Sequence, residues 1–283
     1  MMLNLLDYAK IEMLGKMEVV MTKKAIFFDI DHTLWDENSV IPESTVEAIH
    51  RLQACGHVVF INSGRCRSFI RRENLLSIGF DGIISGCGTM VEYNGEVILY
   101  HTIDNEIVAH SLDVIRRYCF KPILEGRYNL YMDEDEFTDE KYANRLRAEM
   151  GEDLIPIDKN WMKWEISKFS CDTRDCDRAS CFRDLSGYYH YMIHNESVAE
   201  FVPLGFDKAT GMKFVCERLG IDMKDTVAFG DSANDRAMIE SAGCGVVMGN
   251  GSDEMKKIAD FVARPLNDDG ILHACEDLGL YGD

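Results

Sequence analysis

Strands and helices alternate in the first part of this chain, and this alternation limits the possible folds more than any other feature of the sequence. The apolar run AIFFDI begins at residue 25, and two more strand-like runs follow at 58–62 and 82–85. A helical segment precedes each of these two runs, the second of them near 66–77. Strands joined through helices are typically parallel. The sequence therefore predicts an α/β fold built on a parallel sheet.

A different pattern occupies the middle of the chain. The runs TMVEY and EVILY flank Asn94-Gly95, a pair typical of tight turns, and this predicts an antiparallel hairpin at 89–100. Helical segments near 105–118, 139–149 and 175–184 alternate with strand-like segments at 122–132, 164–170, 188–194 and 198–202. After residue 205 the parallel α/β pattern resumes, and it continues to a last helix near 270–278.

This change of pattern predicts a core domain that is interrupted by an insertion. Residues 23–85 and 205–283 are predicted to form the core, and residues 86–204 an inserted α+β domain. Residues 1–22 contain five methionines and show no clear periodicity, so we treat them as an N-terminal extension.

The charge of the chain excludes several classes of partner. The 283 residues include 30 Lys and Arg against 49 Asp and Glu, a formal net charge of −19. Such a surface repels nucleic acid and anionic membranes, and no apolar run approaches the roughly 18–20 residues that span a bilayer. The ten cysteines are scattered and never form C-x-x-C, which indicates reduced thiols and a cytoplasmic protein. Both a monomer and a homodimer are compatible with the sequence.

Two carboxylates follow the first predicted strand. Asp29 and Asp31 are two residues apart in FFDIDHTLWD, so an extended backbone places both on one side. Open α/β sheets form their ligand crevices at the carboxyl ends of parallel strands. Carboxylates this close repel each other unless a divalent cation lies between them, or unless one is protonated and the two act as nucleophile and general acid. A solvated turn is the alternative for this pair alone.

A second acidic group follows the predicted strand TVAFG. The segment GDSANDRAM contains Asp231, Asn234 and Asp235. Mg²⁺ prefers hard oxygen ligands in an octahedral set, which water and a substrate phosphate oxygen can complete. Acidic side chains at the ends of two separate strands therefore predict a Mg²⁺ site and weaken the alternative of a solvated turn.

Two more segments offer groups that bind phosphate. The segment INSGR provides the Ser63 hydroxyl and backbone N–H groups on a turn that contains Gly64 and leads into a helix. Lys208 opens the helix after the inserted domain and supplies a positive charge. Considered singly, Ser63 could be a helix cap and Lys208 a surface lysine. Together with the two acidic groups, they predict a phosphate-binding constellation.

With these residues in this order, the sequence resembles the haloacid dehalogenase superfamily of phosphohydrolases, and in detail its Cof-type branch (subclass IIB, with a C2-type cap). The resemblance covers about residues 23–283 and rests on D-x-D at 29–31, Ser63, Lys208 and GD-x-x-ND at 230–235. It implies a Rossmann-like core with the insertion at 86–204 as its cap. It also implies Mg²⁺-dependent phosphate transfer through an aspartyl phosphate.

The resemblance further implies a role for each matching residue. Asp29 corresponds to the nucleophile and Asp31 to the general acid/base. The residues that would contact phosphate are Ser63, Gly64, Lys208, Asn234 and Asn250, the last in a segment that resembles a GN segment of this branch. The metal would be held by Asp29, the backbone carbonyl of Asp31, Asp231 and Asp235. Ser63 stands where many relatives have Thr, and Ser232 where Gly is common.

We therefore expect a Mg²⁺-dependent phosphatase that hydrolyses small phosphorylated metabolites, such as sugar phosphates. A sugar phosphomutase with the same core remains an alternative, as does a non-enzymatic phosphoacceptor module that binds Mg²⁺. The inserted domain is expected to close over the site. Its aromatic residues would either stack on the substrate or fill the core of the insertion; they are Tyr128, Tyr131, Trp161, Trp164, Tyr188, Tyr189 and Tyr191.

Overall fold

The structure is a computed structural model that describes residues 22–137, 141–174, 176–193 and 197–282. Of the predicted N-terminal extension, residues 1–21 lie outside the described residues.

Fourteen strands are present in the described residues. They are β1 (Ala25–Phe28), β2 (Val58–Asn62), β3 (Gly82–Ser85), β4 (Met90–Tyr93), β5 (Glu96–Tyr100), β6 (Lys121–Glu125), β7 (Leu130–Tyr131), β8 (Leu154–Ile155), β9 (Lys168–Asp172), β10 (Tyr189–Ile193), β11 (Val198–Pro203), β12 (Thr226–Gly230), β13 (Cys244–Val247) and β14 (Phe261–Val262).

The α-helices of the same residues connect these strands. They are α1 (Glu43–Ala54), α2 (Glu73–Leu76), α3 (Asn105–Arg117), α4 (Lys141–Met150), α5 (Arg178–Leu185), α6 (Lys208–Leu219), α7 (Arg236–Ser241), α8 (Asp253–Lys256) and α9 (Gly270–Asp277). No helix in the described part of the chain combines the length and the apolar character needed to cross a bilayer.

The larger sheet has eight strands in the order β14-β13-β12-β1-β2-β3-β4-β5. Its first six strands are parallel to their neighbours, which confirms the predicted α/β class. Strand β1 lies at the centre, where Ala25 is in register with Val58 on one side and Thr226 on the other. Because β1 is buried on both faces, all four of its residues are apolar.

Two apolar clusters cover the faces of this sheet. Alternate residues of β1 point to opposite faces, so Ile26 and Phe28 pack with α1 and α9, whereas Ala25 and Phe27 pack with α6 and α7. The helices therefore hold the central strands from both sides. The carboxyl ends of β1, β2 and β12 meet at one edge as a result.

The predicted hairpin forms, but it belongs to the larger sheet rather than to the insertion. Asn94 and Gly95 have φ values of 48° and 79°, as the tight turn requires. Strand β4 pairs antiparallel with β3, and β5 extends the same sheet. The chain turns back directly after β3 through Gly86 and Gly88, both at positive φ, so β4 covers an edge that would otherwise be open. The insertion's own sheet begins only at β6.

The helix expected at 66–77 is interrupted. A 3₁₀ turn spans Arg67–Phe69, and α2 begins only at Glu73. The Nη1 group of Arg67 donates to the Ile70 carbonyl at 2.7 Å, and Nε of Arg71 donates to the Ser68 carbonyl at 2.8 Å. Side chains thus satisfy carbonyls that the backbone N–H groups of a continuous helix would use.

The six-stranded sheet of the insertion runs in the order β10-β11-β9-β6-β7-β8. It is antiparallel except for the parallel pair β7 and β8. Leu124, Phe169 and Phe201 on one face pack with α3 and α5 in a separate apolar core. The other face of β6, β9 and β11 carries polar residues and borders a cavity between the two sheets.

A buried imidazole joins the end of the described chain to the larger sheet. Nδ1 of His57 accepts a hydrogen bond from the Lys24 backbone N–H at 3.1 Å, and Nε2 lies 2.9 Å from the Leu280 carbonyl oxygen. This arrangement requires a neutral ring with its proton on Nε2. Burial lowers the pKa of His57 below its usual value. Protonation therefore favours the unfolded chain.

We predict a pH dependence of stability from this residue. Because the pKa of His57 is lowered on folding, its contribution is complete above the ordinary histidine value of about 6.5 and is lost as the pH falls below it. The free energy of unfolding should fall by at most about 1.4 kcal/mol per pH unit from this group. Denaturant unfolding at pH 5 and pH 7.5 measures it. His57→Gln should flatten the dependence and the exposed control His110→Gln should not; equal slopes in both variants would contradict the assignment.

Candidate functional site

Three predicted site residues meet where parallel strands end. Asp29 follows β1, Ser63 follows β2 and Asp231 follows β12, and all three line a cavity of about 470 Å³. The backbone N–H of Asp29 donates to the Phe229 carbonyl at 3.0 Å, which continues the pairing of β1 with β12 past the end of the strand. The sheet register therefore fixes where the Asp29 carboxylate lies.

Lys208 connects two carboxylates of this edge. Its Nζ atom lies 2.6 Å from Oδ1 of Asp29 and 2.6 Å from Oδ1 of Asp235, and only 1% of its side chain is exposed. Helix α6 begins at Lys208 because Asp207 caps it, accepting from the Thr210 backbone N–H at 2.6 Å. The lysine is thus buried between carboxylates, and the alternative of a surface lysine is wrong.

Asp235 is fully buried and holds the turn that carries Asp231. Its Oδ2 atom accepts from the backbone N–H groups of Asp231 at 2.9 Å and Ser232 at 3.1 Å. Its Oδ1 atom accepts from Lys208. Three of the four lone-pair sites of this carboxylate are therefore used within the protein, and one on Oδ1 remains.

Negative charge accumulates at this edge. One carboxylate oxygen from each of Asp29, Asp231 and Asp235 lies within 4.8 Å of the others. Burial, and then repulsion from Asp235, raises the pKa of Asp29 well above its usual value, although Lys208 opposes the rise. The same two causes raise the pKa of Asp231 to about 6. Three carboxylates face one ammonium group, an excess of negative charge that favours a bound cation.

Asp31 lies on the cavity next to Asp29, but its surroundings differ. Burial would raise the pKa of Asp31, yet the hydrogen bonds and the charge of Arg65 outweigh burial and lower it. Nε and Nη2 of Arg65 donate to the two carboxylate oxygens at 2.8 Å each, and Nε1 of Trp35 donates to Oδ1 at 3.0 Å. The pKa values of Asp29 and Asp31 are therefore shifted in opposite directions, upward for Asp29 and downward for Asp31.

The turn that is predicted to bind phosphate is compact. The Ser63 hydroxyl oxygen accepts from the backbone N–H of Arg65 at 3.1 Å, and Gly64 lies between them on the cavity. Asn234 also lines the cavity, where its Oδ1 atom accepts from the Ser232 hydroxyl at 2.8 Å. The structure thus brings Ser63, Gly64 and Asn234 together with the acidic residues.

Asn250 does not reach this cavity. Its Nδ2 group donates to the His32 carbonyl at 2.8 Å, and its Oδ1 atom accepts from the Leu266 backbone N–H at 2.8 Å. Both ends of the amide are therefore engaged with backbone groups. In this arrangement Asn250 ties two loops together, and its contact with phosphate stays a prediction.

The cavity has a second wall that the sequence motifs did not predict. Its residues on β6, β9 and β11 are Ile123, Glu125, Lys168, Ser170, Val198 and Glu200. The sequence signal for this wall is the presence of charged residues in largely apolar strands, as in KPILE, KFSCD and VAEFVP.

The aromatic residues singled out in the insertion do not line the cavity. Tyr131, Trp164 and Tyr189 are buried in the insertion's core, which agrees with the alternative that aromatic residues fill this core. The remaining four are exposed; they are Tyr128, Trp161, Tyr188 and Tyr191. Phe69, which follows the turn at Ser63 and Gly64, borders the cavity.

Comparison with known proteins places this geometry in a family. A family model described as haloacid dehalogenase-like hydrolase matches residues 26–275. The Bacillus subtilis (strain 168) protein YkrA is 34% identical over 269 residues, which cover 92% of this chain and 99% of YkrA. The 5-amino-6-(5-phospho-D-ribitylamino)uracil phosphatase YitU of the same organism is 27% identical, over 87% of this chain and 94% of YitU.

Solved structures agree with the sequence comparison. The HAD subclass IIB sugar phosphatase BT4131 superposes with a TM-score of 0.79 at 26% identity, covering 91% of this chain and 100% of that chain. A hypothetical protein from Geobacillus kaustophilus HTA426 gives a TM-score of 0.78 at 29% identity, over 91% and 99% of the two chains. This chain therefore belongs to the haloacid dehalogenase-like hydrolases and is a phosphoric monoester hydrolase.

Proposed function

We propose that this protein is a Mg²⁺-dependent phosphatase that hydrolyses small phosphorylated metabolites through an aspartyl phosphate. The observation that carries the proposal is the convergence of Asp29, Ser63, Lys208 and Asp231 at one sheet edge, although they lie far apart in the sequence. The names of BT4131 and YitU, a sugar phosphatase and a phosphatase of a ribityl phosphate, support small metabolites as substrates.

In the proposed first step, a carboxylate oxygen of Asp29 attacks phosphorus in line. The new bond joins that oxygen to phosphorus while the bond from phosphorus to the leaving oxygen breaks. The leaving oxygen takes a proton from Asp31, which acts as general acid. Because Lys208 donates to Oδ1 of Asp29, it favours the ionised form of the nucleophile against the effect of burial.

In the second step, a water oxygen attacks phosphorus of the aspartyl phosphate and its proton passes to Asp31. Inorganic phosphate leaves, and Asp29 regains its carboxylate. The first step leaves Asp31 ionised, and Arg65 favours this form, which then acts as the base of the second step. The proton that Asp31 takes from water is the one it donates in the next turnover. The phosphoryl oxygens would contact the Ser63 hydroxyl, the Gly64 backbone N–H, Asn234 and the Lys208 ammonium group.

Asp29, Asp231 and Asp235 fit a magnesium ion, together with the backbone carbonyl of Asp31. They offer hard oxygen atoms and carry more negative charge than Lys208 balances. When bound, Mg²⁺ supplies positive charge that offsets the charge of the phosphoryl oxygens. We further propose that the insertion is the cap, because its six-stranded sheet forms the second wall of the cavity.

The nucleophile can be tested by a single substitution. Asp29→Asn should lower phosphate release from p-nitrophenyl phosphate at least about 10³-fold, because the amide cannot form the aspartyl phosphate. The control Asp253→Asn changes a carboxylate whose side chain is 95% exposed and should retain activity. Wild-type rates in Asp29→Asn would disprove this role for the residue.

The buried ammonium group should matter for stability as well as for catalysis. Lys208→Met leaves two buried carboxylates without their partner, so the free energy of unfolding in EDTA should fall by about 3–5 kcal/mol. Denaturant titration measures this. Lys224→Met removes a lysine that is 74% exposed and pairs with Asp222 at the surface, so its stability should match wild type. Equal stability of the two variants would contradict the burial argument.

Magnesium binding should be visible without turnover. At a Mg²⁺ concentration 100 times Kd, the ion should raise the free energy of unfolding of the wild type by about 2.7 kcal/mol. Asp231→Asn should show a much smaller rise in melting temperature at the same concentration, because it loses a charged ligand. EDTA should also abolish phosphate release, and added Mg²⁺ should restore it. An equal thermal shift in Asp231→Asn and wild type would exclude Asp231 as a ligand.

A further inference from the structure

The second wall of the cavity is one face of the insertion's sheet. Glu125 of β6 lies opposite Lys168 of β9, and Ser170 of β9 lies opposite both Ile123 of β6 and Glu200 of β11. Since alternate residues of a strand share a face, these side chains all point the same way. Their neighbours in sequence point into the apolar core instead. The strands therefore present a face to the cavity that carries polar side chains beside the apolar Ile123 and Val198, and we call this face the roof.

Charged groups in the roof are buried. Nζ of Lys168 lies 2.8 Å from Oε2 of Glu125 and contacts Oε1 of Glu200 directly. The exposed fractions of the three side chains are 3%, 9% and 4%. Two acceptors use two of the three N–H donors of the ammonium group, so a third donor is available. Buried ion pairs add little stability by themselves, and apolar residues would fill this face equally well.

Ser170 carries the strongest signal for a ligand. The residue is 6% exposed, it lines the cavity, and its hydroxyl has no hydrogen-bond partner in the described chain. A buried hydroxyl without a partner is costly, and native proteins rarely keep one unless water or a ligand completes it. The Ser170 hydroxyl therefore points to a hydrogen-bonding group that enters the cavity.

The roof lies directly over the phosphate-binding turn. A β-carbon built on Gly64 would be 3.6 Å from Oε1 of Glu200 and 3.4 Å from Sγ of Cys87. A phosphate held at Ser63 and Gly64 would thus bring the rest of its molecule against the roof. The roof residues then face the leaving group of the reaction, not the phosphoryl group.

We propose that the roof is a subsite for a neutral, polyhydroxylated leaving group, with Ser170, Lys168, Glu125 and Glu200 as its hydrogen-bonding residues. Donors and acceptors alternate over this face, as a chain or ring of hydroxyl groups requires. Lys168 already pairs with both Glu125 and Glu200, so these three roof residues carry no excess positive charge to attract a second anionic group. No aromatic side chain of the described insertion lines the cavity for stacking a base. The inference rests on the proposed function of the site.

Two phosphate esters with the same carbon count test the subsite. Sorbitol 6-phosphate and n-hexyl phosphate are both six-carbon primary alkyl monoesters, but only the first carries hydroxyl groups. Wild-type kcat/KM should be at least about tenfold higher for sorbitol 6-phosphate, since several hydrogen bonds are gained. Ser170→Ala should lower the ratio of the two kcat/KM values about three- to tenfold, as expected for one hydrogen bond.

The matched control is Thr173→Val. Thr173 is also a buried residue of the insertion whose hydroxyl lacks a partner in the described chain, but it does not line the cavity. Its substitution should leave the substrate ratio unchanged. Equal kcat/KM values for the two esters in wild type would overturn the proposal, as would the same loss of ratio in Thr173→Val.

A binding measurement separates this inference from the proposed function. Asp29→Asn should bind sorbitol 6-phosphate by calorimetry, and the double variant Asp29→Asn/Ser170→Ala should bind it about three- to tenfold more weakly. If Ser170→Ala changes neither the kcat/KM ratio nor the binding, but wild type still hydrolyses p-nitrophenyl phosphate, the subsite alone is overturned. If wild type does not hydrolyse p-nitrophenyl phosphate, but Ser170→Ala still weakens binding, the proposed catalysis is overturned and the subsite is supported.

Discussion

The buried ammonium group of Lys208 is the interaction on which the site depends. It lies 2.6 Å from both Asp29 and Asp235, in a place where either carboxylate alone would be costly to ionise. Asp235 in turn holds the backbone that carries Asp231. One cation therefore links the first strand, the turn after β12 and the start of α6. The parallel sheet brings these elements close, and the charge of Lys208 makes their closeness tolerable.

Two sheets enclose the cavity, and they differ in how many of their faces are apolar. The core sheet is apolar on both faces, so its candidate site residues lie at the ends of its parallel strands, as is typical of α/β sheets. The sheet of the insertion is antiparallel, so one face packs on helices and the other can carry Glu125, Lys168 and Glu200. The proposed catalytic residues therefore lie at the edge of one sheet, and the contacts proposed for the leaving group lie on the face of the other.

Much of the fold follows from local patterns, because hydrophobic periodicity reports which face of an element is buried. The parallel strands and the hairpin at Asn94-Gly95 are of this kind. The strand with which the hairpin pairs does not follow from local pattern, since pairing with β3 depends on which sheet edge is open after folding. The interruption of the helix expected at 66–77 likewise depends on contacts with residues that are distant in sequence. The arginines of this segment bond to carbonyls nearby and also to Glu92 and Asp153, which are distant in sequence.

The sequence alone determined which residues gather at the sheet edge of the candidate site, because parallel strands end at one edge and residues that follow them must converge there. Asp29, Ser63 and Asp231 are found in this way, and Lys208 through its place at the start of a helix. Only the tertiary structure decided what their neighbours do. It paired Arg65 with Asp31, engaged Asn250 with backbone groups and turned Ser170 toward the cavity. Such contacts depend on the distance and orientation of side chains from separate elements, which no local spacing encodes.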